Sequence, residues 1–353
     1  MKEASALNPD GHAHYMRPLD GIRGLACMLV IIAHITQTLK LDYVEKIYDF
    51  GSMGVVLFFV LSGFLMSALY SEKQFSLDSA GKYSIARFTR IAPAYWIAIV
   101  VSWVLFMIIP DFEYQMTPFN LLRSIFFAGT EGVLWSIPPE VQFYGFFLLL
   151  WFSWHKSKEG NHIFLIFSVL LSLALVATKE MWGGAMLPSK LHLFLAGFLA
   201  AFVAKHPKVL PVLCSTIFQI GITLLFICYV SFVLGEGEIY NDLTIPFLAG
   251  LMIASLSRSS LFTWPLETHT LRMMGAASFS IYLFHDMILK AMDHFGAFNS
   301  LNIMLSIAIM CFVSIALPVA FHYAVEKRLN ISSKKWLLEK FEMLKRKYPK
   351  FSF

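Results

Sequence analysis

The stretch Arg17-Pro-Leu-Asp-Gly-Ile-Arg-Gly-Leu-Ala-Cys-Met-Leu-Val-Ile-Ile-Ala-His34 decides the fold class of this chain. It begins polar and basic and then becomes an apolar run of the kind that spans a membrane as a helix. At about 100° per residue, Arg23 and His34 lie on one helix face, about 16 Å apart along the axis. An ionisable side chain at the depth of His34 is costly in lipid, which indicates a functional residue.

The composition agrees with a membrane protein, because 58% of the residues are hydrophobic and only 14% are charged, against about 25% charged in soluble domains. Apolar segments of about 20 residues fit helices, whereas the strands of a membrane barrel alternate over about 10 residues. The sequence therefore predicts an all-α polytopic membrane protein with about ten transmembrane helices. The segments lie at about 21–39, 51–70, 91–109, 134–153, 162–178, 190–204, 211–234, 242–257, 276–294 and 302–325.

The positive charges orient these segments. If the N-terminus is cytoplasmic and the segments alternate in direction, 22 of the 28 Lys and Arg residues fall on the cytoplasmic side, as the positive-inside rule requires. We therefore predict that both termini are cytoplasmic. The predicted parts are a cytoplasmic N-terminal segment (1–18), a transmembrane domain (19–325) and a basic cytoplasmic tail (326–353). The tail has the pattern of an amphipathic helix on the anionic leaflet, with a solvated tail as the alternative.

Neither the cysteines nor the net charge suggests another class of protein. The four cysteines all fall in apolar segments and form no CxxC pair, so we predict neither a disulfide framework nor a metal site. The net charge of +5 follows the membrane topology, and we expect no nucleic-acid partner. The first apolar run is interpreted as a retained signal anchor, because no small-residue cleavage site follows it. The sequence leaves the oligomeric state open.

His34 is the first residue that could carry chemistry, either as a buried general base or as a histidine hydrogen-bonded across helices. Glu140 lies about 9 Å inside the outer end of the fourth span and could approach His34 from the opposite side, or form a structural salt bridge. Arg87 and Arg90 share a face at the cytoplasmic start of the third span. Two guanidinium groups there could grip a phosphate or simply anchor the helix.

The other polar side chains in the apolar segments are weaker candidates. Ser62 stands among small residues, a pattern that favours close helix packing over catalysis. Tyr282 and His285 share a face of the ninth span, and Asp286 follows as a further buried acid. Several buried ionisable groups predict a polar cavity, without distinguishing an enzyme from a transporter.

A last pair, His322 and Glu326, stands at i, i+4 at the end of the tenth span, where the two side chains can meet on one helix face. We expect this pair to be weaker evidence of function than the residues above.

Five motifs occur in a recognisable order along the chain, and together they resemble the acyltransferase-3 family of integral-membrane O-acyltransferases. Pro139 stands where that family usually has Val, and Glu326-Lys-Arg-Leu329 lacks the proline expected near its end. The motifs are Leu19-Asp-Gly-Ile-Arg23-Gly-Leu-Ala, Phe58-Phe-Val-Leu-Ser62-Gly63-Phe64, Arg87-x-x-Arg90-Ile-x-Pro93, Trp135-Ser-Ile-Pro-x-Glu140-x-x-Phe-Tyr144 and Ser280-Ile-Tyr282-Leu-x-His285.

This resemblance implies a donor and an acceptor. The donor would be cytoplasmic acyl-CoA, usually acetyl-CoA, held by Arg23, Arg87 and Arg90. The acceptor would be a hydroxyl of a glycan or lipid-linked saccharide, such as lipopolysaccharide O-antigen or exopolysaccharide, with peptidoglycan or a small antibiotic-like molecule as further possibilities. The protein would lie in the cell inner membrane. No esterase-like domain is expected, which fits a stand-alone glycan-modifying enzyme.

The resemblance also implies roles at the site. His34 would be the general base, with Glu140 orienting or charging its imidazole, or His34 would itself be acylated. Supporting roles would fall to four residues. They are Ser62, Tyr144, Tyr282 and His285. A proton-coupled transporter or flippase that uses the same buried ionisable residues is the alternative function.

Overall fold

The structure is a computed structural model that describes residues 16–41, 45–110, 112–129, 131–233, 239–297 and 301–347. Across these ranges every regular element is a helix. The α-helices are α1 (Arg17–Thr38), α2 (Glu45–Tyr70), α3 (Leu77–Ile108), α4 (Pro118–Ile125), α5 (Ile137–Lys158), α6 (Ile163–Ala177), α7 (Leu187–Val203), α8 (Leu210–Leu213), α9 (Thr216–Val233), α10 (Thr244–Leu256), α11 (His269–Ala276), α12 (Ser278–His294), α13 (Ile303–Phe321) and α14 (Lys327–Lys347).

Each of the ten predicted apolar segments falls on a helix. Within the described part of the chain, six stretches are long and apolar enough to cross a membrane, and α6, α7 and α10 are shorter apolar helices. The protein is therefore an all-helical, multi-pass membrane protein. The six stretches are Arg17–Thr38, Phe50–Tyr70, Leu77–Ile108, Gly132–Lys158, Thr216–Val233 and Ile303–Lys347.

Helix α3 begins much earlier than the apolar segment 91–109 predicts. Ser76 and Ser79 form a capping box at its start, in which the Ser76 Oγ accepts the Ser79 N–H at 3.1 Å and the Ser79 Oγ accepts the Ser76 N–H at 2.8 Å. Such a cap satisfies backbone donors that the first turn leaves unpaired. Arg87 and Arg90 therefore lie well inside α3 and not at its start.

The apolar stretch 118–128, about half as long as a membrane span, contains the short helix α4. Thr117 caps α4 by accepting the Asn120 N–H. The Trp96 Nε1 donates a hydrogen bond of 3.1 Å to the Ile125 carbonyl at the end of α4. The connection between α3 and α5 is therefore packed against α3.

The chain forms two compact units. Of the described residues, the first unit takes those within Met1–Val30, Val44–Glu72 and His192–Ser278. Its helices α2 and α7 cross closely, because a Cβ placed on Gly63 would overlap the Phe194 carbonyl. Close approach of this kind needs a small residue, which fits the packing interpretation of the segment that contains Ser62.

The second unit takes the described residues of Ile31–Tyr43, Lys73–Leu191 and Phe279–Phe353. In this unit α13 continues into α14 through a π-helical turn, His322–Glu326. Within the predicted tail, residues Lys327–Lys347 thus form a helix that continues the last apolar segment.

Helix α14 packs on the first turns of α3. The Phe341 ring lies against Gly81, Lys345 pairs with Asp78, and the Lys82 Nζ lies 3.3 Å from a Glu342 carboxylate oxygen. These contacts fix the start of α3, the helix that carries Arg87 and Arg90.

Candidate active site

The second unit contains a histidine–carboxylate pair formed by α1 and α12. The His34 Nδ1 lies 3.0 Å from the Asp286 Oδ1. The Asp286 side chain is only 3% exposed, whereas that of His34 is 18% exposed. A neutral histidine that donates its Nδ1–H to a carboxylate keeps a lone pair on Nε2, the nitrogen that can accept a proton. The geometry therefore suits a partly accessible general base held by a buried acid.

The second oxygen of Asp286 is also engaged. The Tyr114 hydroxyl donates to the Asp286 Oδ2 at 2.7 Å and accepts the Val133 N–H at 3.1 Å. The Lys290 Nζ lies 3.8 Å from the Asp286 Oδ1 and pairs with Glu113. A buried carboxylate is costly unless hydrogen bonds and a counter-charge compensate it, and this one has both.

His285, the residue before Asp286 on α12, belongs to the same cluster. Its Nδ1 lies 3.0 Å from the Ile281 carbonyl and 2.8 Å from the Tyr282 carbonyl, so Nδ1 carries the proton and donates it. The ring centroid lies 4.9 Å from that of His34, nearly edge-on. The side chain is fully buried, and its Nε2 has no hydrogen-bond partner among the described residues. A second histidine lone pair is therefore held beside His34.

Tyr282 contacts this cluster through His285 and Val133. Its hydroxyl donates to the Val133 carbonyl at 3.0 Å, and its ring centroid lies 5.9 Å from that of His285. Tyr282 thus supports Val133, whose N–H in turn holds Tyr114.

Glu140 lies in a second polar cluster, between α3 and α5. It accepts the Tyr144 hydroxyl at 2.7 Å, and the Arg87 guanidinium lies 6.0 Å from the centre of the Tyr144 ring. Arg90 lies three residues after Arg87 on α3, where the two side chains share a helix face. The structure therefore brings together four of the predicted site residues: Glu140, Tyr144, Arg87 and Arg90.

The carboxylate that pairs with His34 belongs to Asp286, which the sequence marked only as a further buried acid. The expected approach of Glu140 to His34 stays a prediction. Depth in the membrane suggested Glu140, but depth alone does not determine which helices are neighbours. The structure thus adds a carboxylate on α12 to the candidates for orienting His34.

Two further predicted residues belong to the first unit. Arg23 is half-buried on α1, and Ser62 is buried on α2 at 8% exposure. Helix α1 is continuous from Arg17 to Thr38, so Arg23 and His34 keep the common face that their spacing predicts.

A second histidine–carboxylate pair lies at the π-helical turn. The His322 Nδ1 lies 2.9 Å from the Glu326 Oε2, and the Ser280 hydroxyl donates to the same oxygen. Glu326 is buried. This is the pair that the i, i+4 spacing predicts.

Three important members of the site are not predicted from the sequence. In the sequence, Asp286 is recognisable only as a buried acid without an assigned role. No sequence pattern marks Tyr114 or Lys290. An acid inside an apolar helix is a recognisable signal, whereas nothing in the polar segment around Tyr114 marks it. In the part of the chain that the structure describes, no group of three or more His, Cys, Asp or Glu side chains is arranged to hold a metal ion.

A histidine that pairs with a buried carboxylate in an all-helical membrane protein places this chain among integral-membrane proteins that keep ionisable groups inside the helix bundle. The acyltransferase-3 family model, described as an acyltransferase domain, matches residues 17–323. The chain therefore belongs to the acyltransferase-3 family.

Several curated proteins are similar to this chain. The peptidoglycan O-acetyltransferase OatA of Listeria monocytogenes is 26% identical over 317 residues, which cover 77% of this chain and 49% of the relative. The O-acetyltransferase OatA of Staphylococcus aureus is 27% identical over 311 residues, covering 77% of this chain and 50% of the relative. The chain thus spans about half the length of the curated relatives it matches. No solved structure matches the chain.

Proposed function

We propose that this protein is a membrane O-acetyltransferase that transfers an acetyl group from cytoplasmic acetyl-CoA to a hydroxyl of a cell-surface glycan. The observation that carries this proposal is the His34–Asp286 pair, 3.0 Å apart, in a chain of the acyltransferase-3 family. A histidine oriented by a buried carboxylate is the arrangement that activates hydroxyl groups for acyl transfer in many unrelated enzymes.

The chemistry follows from the His34 tautomer. The acceptor hydroxyl gives its proton to the His34 Nε2 as its oxygen attacks the thioester carbonyl. The carbon–sulfur bond then breaks, and His34 returns the proton to the departing thiolate, which gives an acetyl ester and CoA. Asp286 stabilises the imidazolium that exists between the two proton transfers. In the alternative route His34 attacks the thioester itself and forms an acyl-histidine.

The buried lone pair of His285 has a use in this scheme. Saccharides carry neighbouring hydroxyl groups, so one can donate to the His34 Nε2 while the next donates to the His285 Nε2. We therefore assign His285 to orienting the acceptor, with Tyr282 supporting the site from behind. Ser62 keeps only a supporting role, through the close packing of its helix.

The donor requires positive charge for its phosphates. We assign Arg87 and Arg90 to this role, because guanidinium groups bind phosphate oxygens in pairs. For Arg23, donor binding stays a prediction of the family resemblance. Tyr144 supports Arg87 through its ring. Glu140 holds the Tyr144 hydroxyl, and its role in catalysis is to keep this donor site in shape.

The proposed topology has ten membrane crossings, with both termini in the cytoplasm. The proposed location is the inner membrane of the cell. Ten helices on the ten apolar segments and the 22 positive residues on one side support this topology. The donor is then taken up on the side where acetyl-CoA is made.

The acceptor is proposed as a glycan outside that membrane. Lipopolysaccharide O-antigen and exopolysaccharide remain our first proposals, and the name of the Listeria relative supports peptidoglycan, already one of the predicted possibilities. Comparing the surface glycans of a deletion strain and its parent by mass spectrometry identifies the acceptor, since the deletion strain loses the mass of one acetyl group.

The activity is tested with the full chain in proteoliposomes, given acetyl-CoA labelled in its acetyl group and a crude glycan fraction. We expect label to move to the glycan and CoA to be released in equal amounts. A pH-coupled flux of solutes or lipid-linked sugars without acetyl-CoA, and no labelled glycan, would instead support the transporter or flippase.

A further inference from the structure

The carboxylate of Asp286 accepts a hydrogen bond from Tyr114, a residue with no assigned role in the proposed acyl transfer. One oxygen faces His34 and the other accepts the hydroxyl of Tyr114. Tyr114 lies in the segment between α3 and α4, far in sequence from both helices of the pair. Its side chain is fully buried, so it is as much part of the interior as Asp286 itself.

The surroundings of Tyr114 set the direction of its hydrogen bond. Because its oxygen accepts the Val133 N–H at 3.1 Å, its own proton is directed to Asp286. Burial, followed by the charge of the neighbouring Asp286, raises the pKa of Tyr114 well above its usual range. The hydroxyl therefore stays protonated and remains a donor at neutral pH.

The ring of Tyr114 is held as firmly as its hydroxyl. Gly132 has a φ of +47°, a conformation that glycine adopts at little cost. A Cβ on Gly132 would overlap the Tyr114 ring. The glycine thus allows the ring to lie directly on the backbone that precedes Val133.

The neighbouring charge does not replace this contact. Lys290 lies 3.8 Å from the Asp286 Oδ1 and also pairs with Glu113. An ammonium at that distance supplies charge with little directional preference. A hydroxyl at 2.7 Å fixes the rotation of the carboxylate, and that rotation decides where the other oxygen meets His34.

We infer that Tyr114 is a positioning residue, which fixes the Asp286 carboxylate so that its other oxygen holds the Nδ1–H of His34. The segment between α3 and α4 thereby contacts the His34–Asp286 pair through two adjacent residues. Tyr114 contacts Asp286 directly, and Glu113 pairs with Lys290. The inference rests on the proposed function, because positioning matters only if His34 transfers a proton.

The first test is the Tyr114→Phe variant of the full chain in proteoliposomes. The ring and its packing remain, while the carboxylate is free to rotate. We expect kcat to fall about tenfold, as for loss of a hydrogen bond to a charged group, with the KM for acetyl-CoA unchanged. Tyr95→Phe is the matched control, because the buried Tyr95 hydroxyl has no hydrogen-bond partner among the described residues. An unchanged kcat in Tyr114→Phe would overturn the inference.

A double-mutant cycle separates positioning from general loss of structure. In an Asp286→Asn background, Tyr114→Phe should cost less than about twofold, because the contact it serves is already impaired. A full tenfold loss in that background would show that Tyr114 acts independently of Asp286 and would also overturn the inference. If Tyr114→Phe does not fold, Tyr282→Phe, which loosens Val133, should lower kcat about threefold with the KM unchanged.

A readout without any acyl donor separates this inference from the proposed function. Diethyl pyrocarbonate reacts with the histidine lone pair, and mass spectrometry gives its rate at His34. We expect labelling to slow about threefold in Tyr114→Phe and to stay unchanged in Tyr95→Phe. If the wild type transfers no acetyl group but this difference is found, the proposed function fails and the positioning role stands. If the wild type is active but both variants are labelled equally, the positioning role fails and the proposed function stands.

Discussion

Two histidine–carboxylate pairs in the same unit have nearly equal geometry. The His34 Nδ1 lies 3.0 Å from Asp286, and the His322 Nδ1 lies 2.9 Å from Glu326. Both carboxylates are buried, and each also accepts a hydroxyl. Neither the distance nor the burial distinguishes a catalytic pair from a structural one.

The difference lies in how each pair is built and what surrounds it. His322 and Glu326 are neighbours within one π-helical turn, so their pairing is a local feature of the chain. His34 and Asp286 come from opposite ends of the sequence and meet beside the buried lone pair of His285. The His34–Asp286 pair is therefore better suited to bind a substrate, because the His285 Nε2 beside it can accept a further hydrogen bond.

The largest expected effect separates the two carboxylates. Asp286→Asn should lower kcat about 10²- to 10³-fold, because an amide can stabilise the wrong His34 tautomer and cannot support the imidazolium. Glu326→Gln should change kcat by less than about threefold, since nothing assigns it to the reaction. Initial rates of acetyl transfer in proteoliposomes measure both. Equal losses in the two variants would remove the distinction.

A smaller effect is expected at the proposed donor site, which our account links to the His34–Asp286 pair. Arg87→Lys should raise the KM for acetyl-CoA about tenfold and leave kcat nearly unchanged, because lysine cannot make paired hydrogen bonds to phosphate. Lys82→Ala is the control, being a cation of the same helix whose partners are Asp78 and Glu342. If kcat falls while the KM stays constant, Arg87 acts on the chemistry and not on donor binding.

The His322–Glu326 pair is expected to contribute to the stability of the folded protein. Glu326→Gln should lower the free energy of unfolding by about 1–3 kcal/mol, because it weakens two hydrogen bonds to a buried charge. Thermal unfolding of the detergent-solubilised protein measures this. An unaltered melting temperature would show that the π-helical turn does not depend on the pair.

The smallest effect is expected for Ser280→Ala. Glu326 keeps its bond to His322 in this variant, so the free energy of unfolding should fall by only about 1 kcal/mol. Acetyl transfer should stay within about twofold of the wild-type rate. A loss as large as that of Asp286→Asn would place the second pair in the reaction after all.

The same comparison shows what could be predicted from sequence. Helices formed on all ten apolar segments because burial in lipid imposes both the length and the hydrogen bonding of a helix. The His322–Glu326 contact was predicted because i, i+4 side chains meet on any helix. These features depend on residues close together in the chain.

The pairing of His34 with Asp286 depends on residues that are far apart in the sequence. Nothing in the spacing of His34 and Asp286 indicates that α1 and α12 are neighbours, and depth suggested Glu140 instead. The start of α3 was also missed, since hydropathy marks only the lipid-embedded part of a helix and the Ser76 cap lies outside it. Tyr114 could not be found at all, because its role exists only in the folded unit.

The most direct test of the central claim compares His34→Ala with His322→Ala. Both variants remove a histidine whose Nδ1 lies about 3 Å from a buried carboxylate in the same unit. In proteoliposomes with labelled acetyl-CoA, His34→Ala should lose at least about 10³-fold in acetyl transfer, while His322→Ala stays within about threefold of wild type. Full activity in His34→Ala, or an equal loss in His322→Ala with both proteins folded, would contradict the assignment of His34 as the general base.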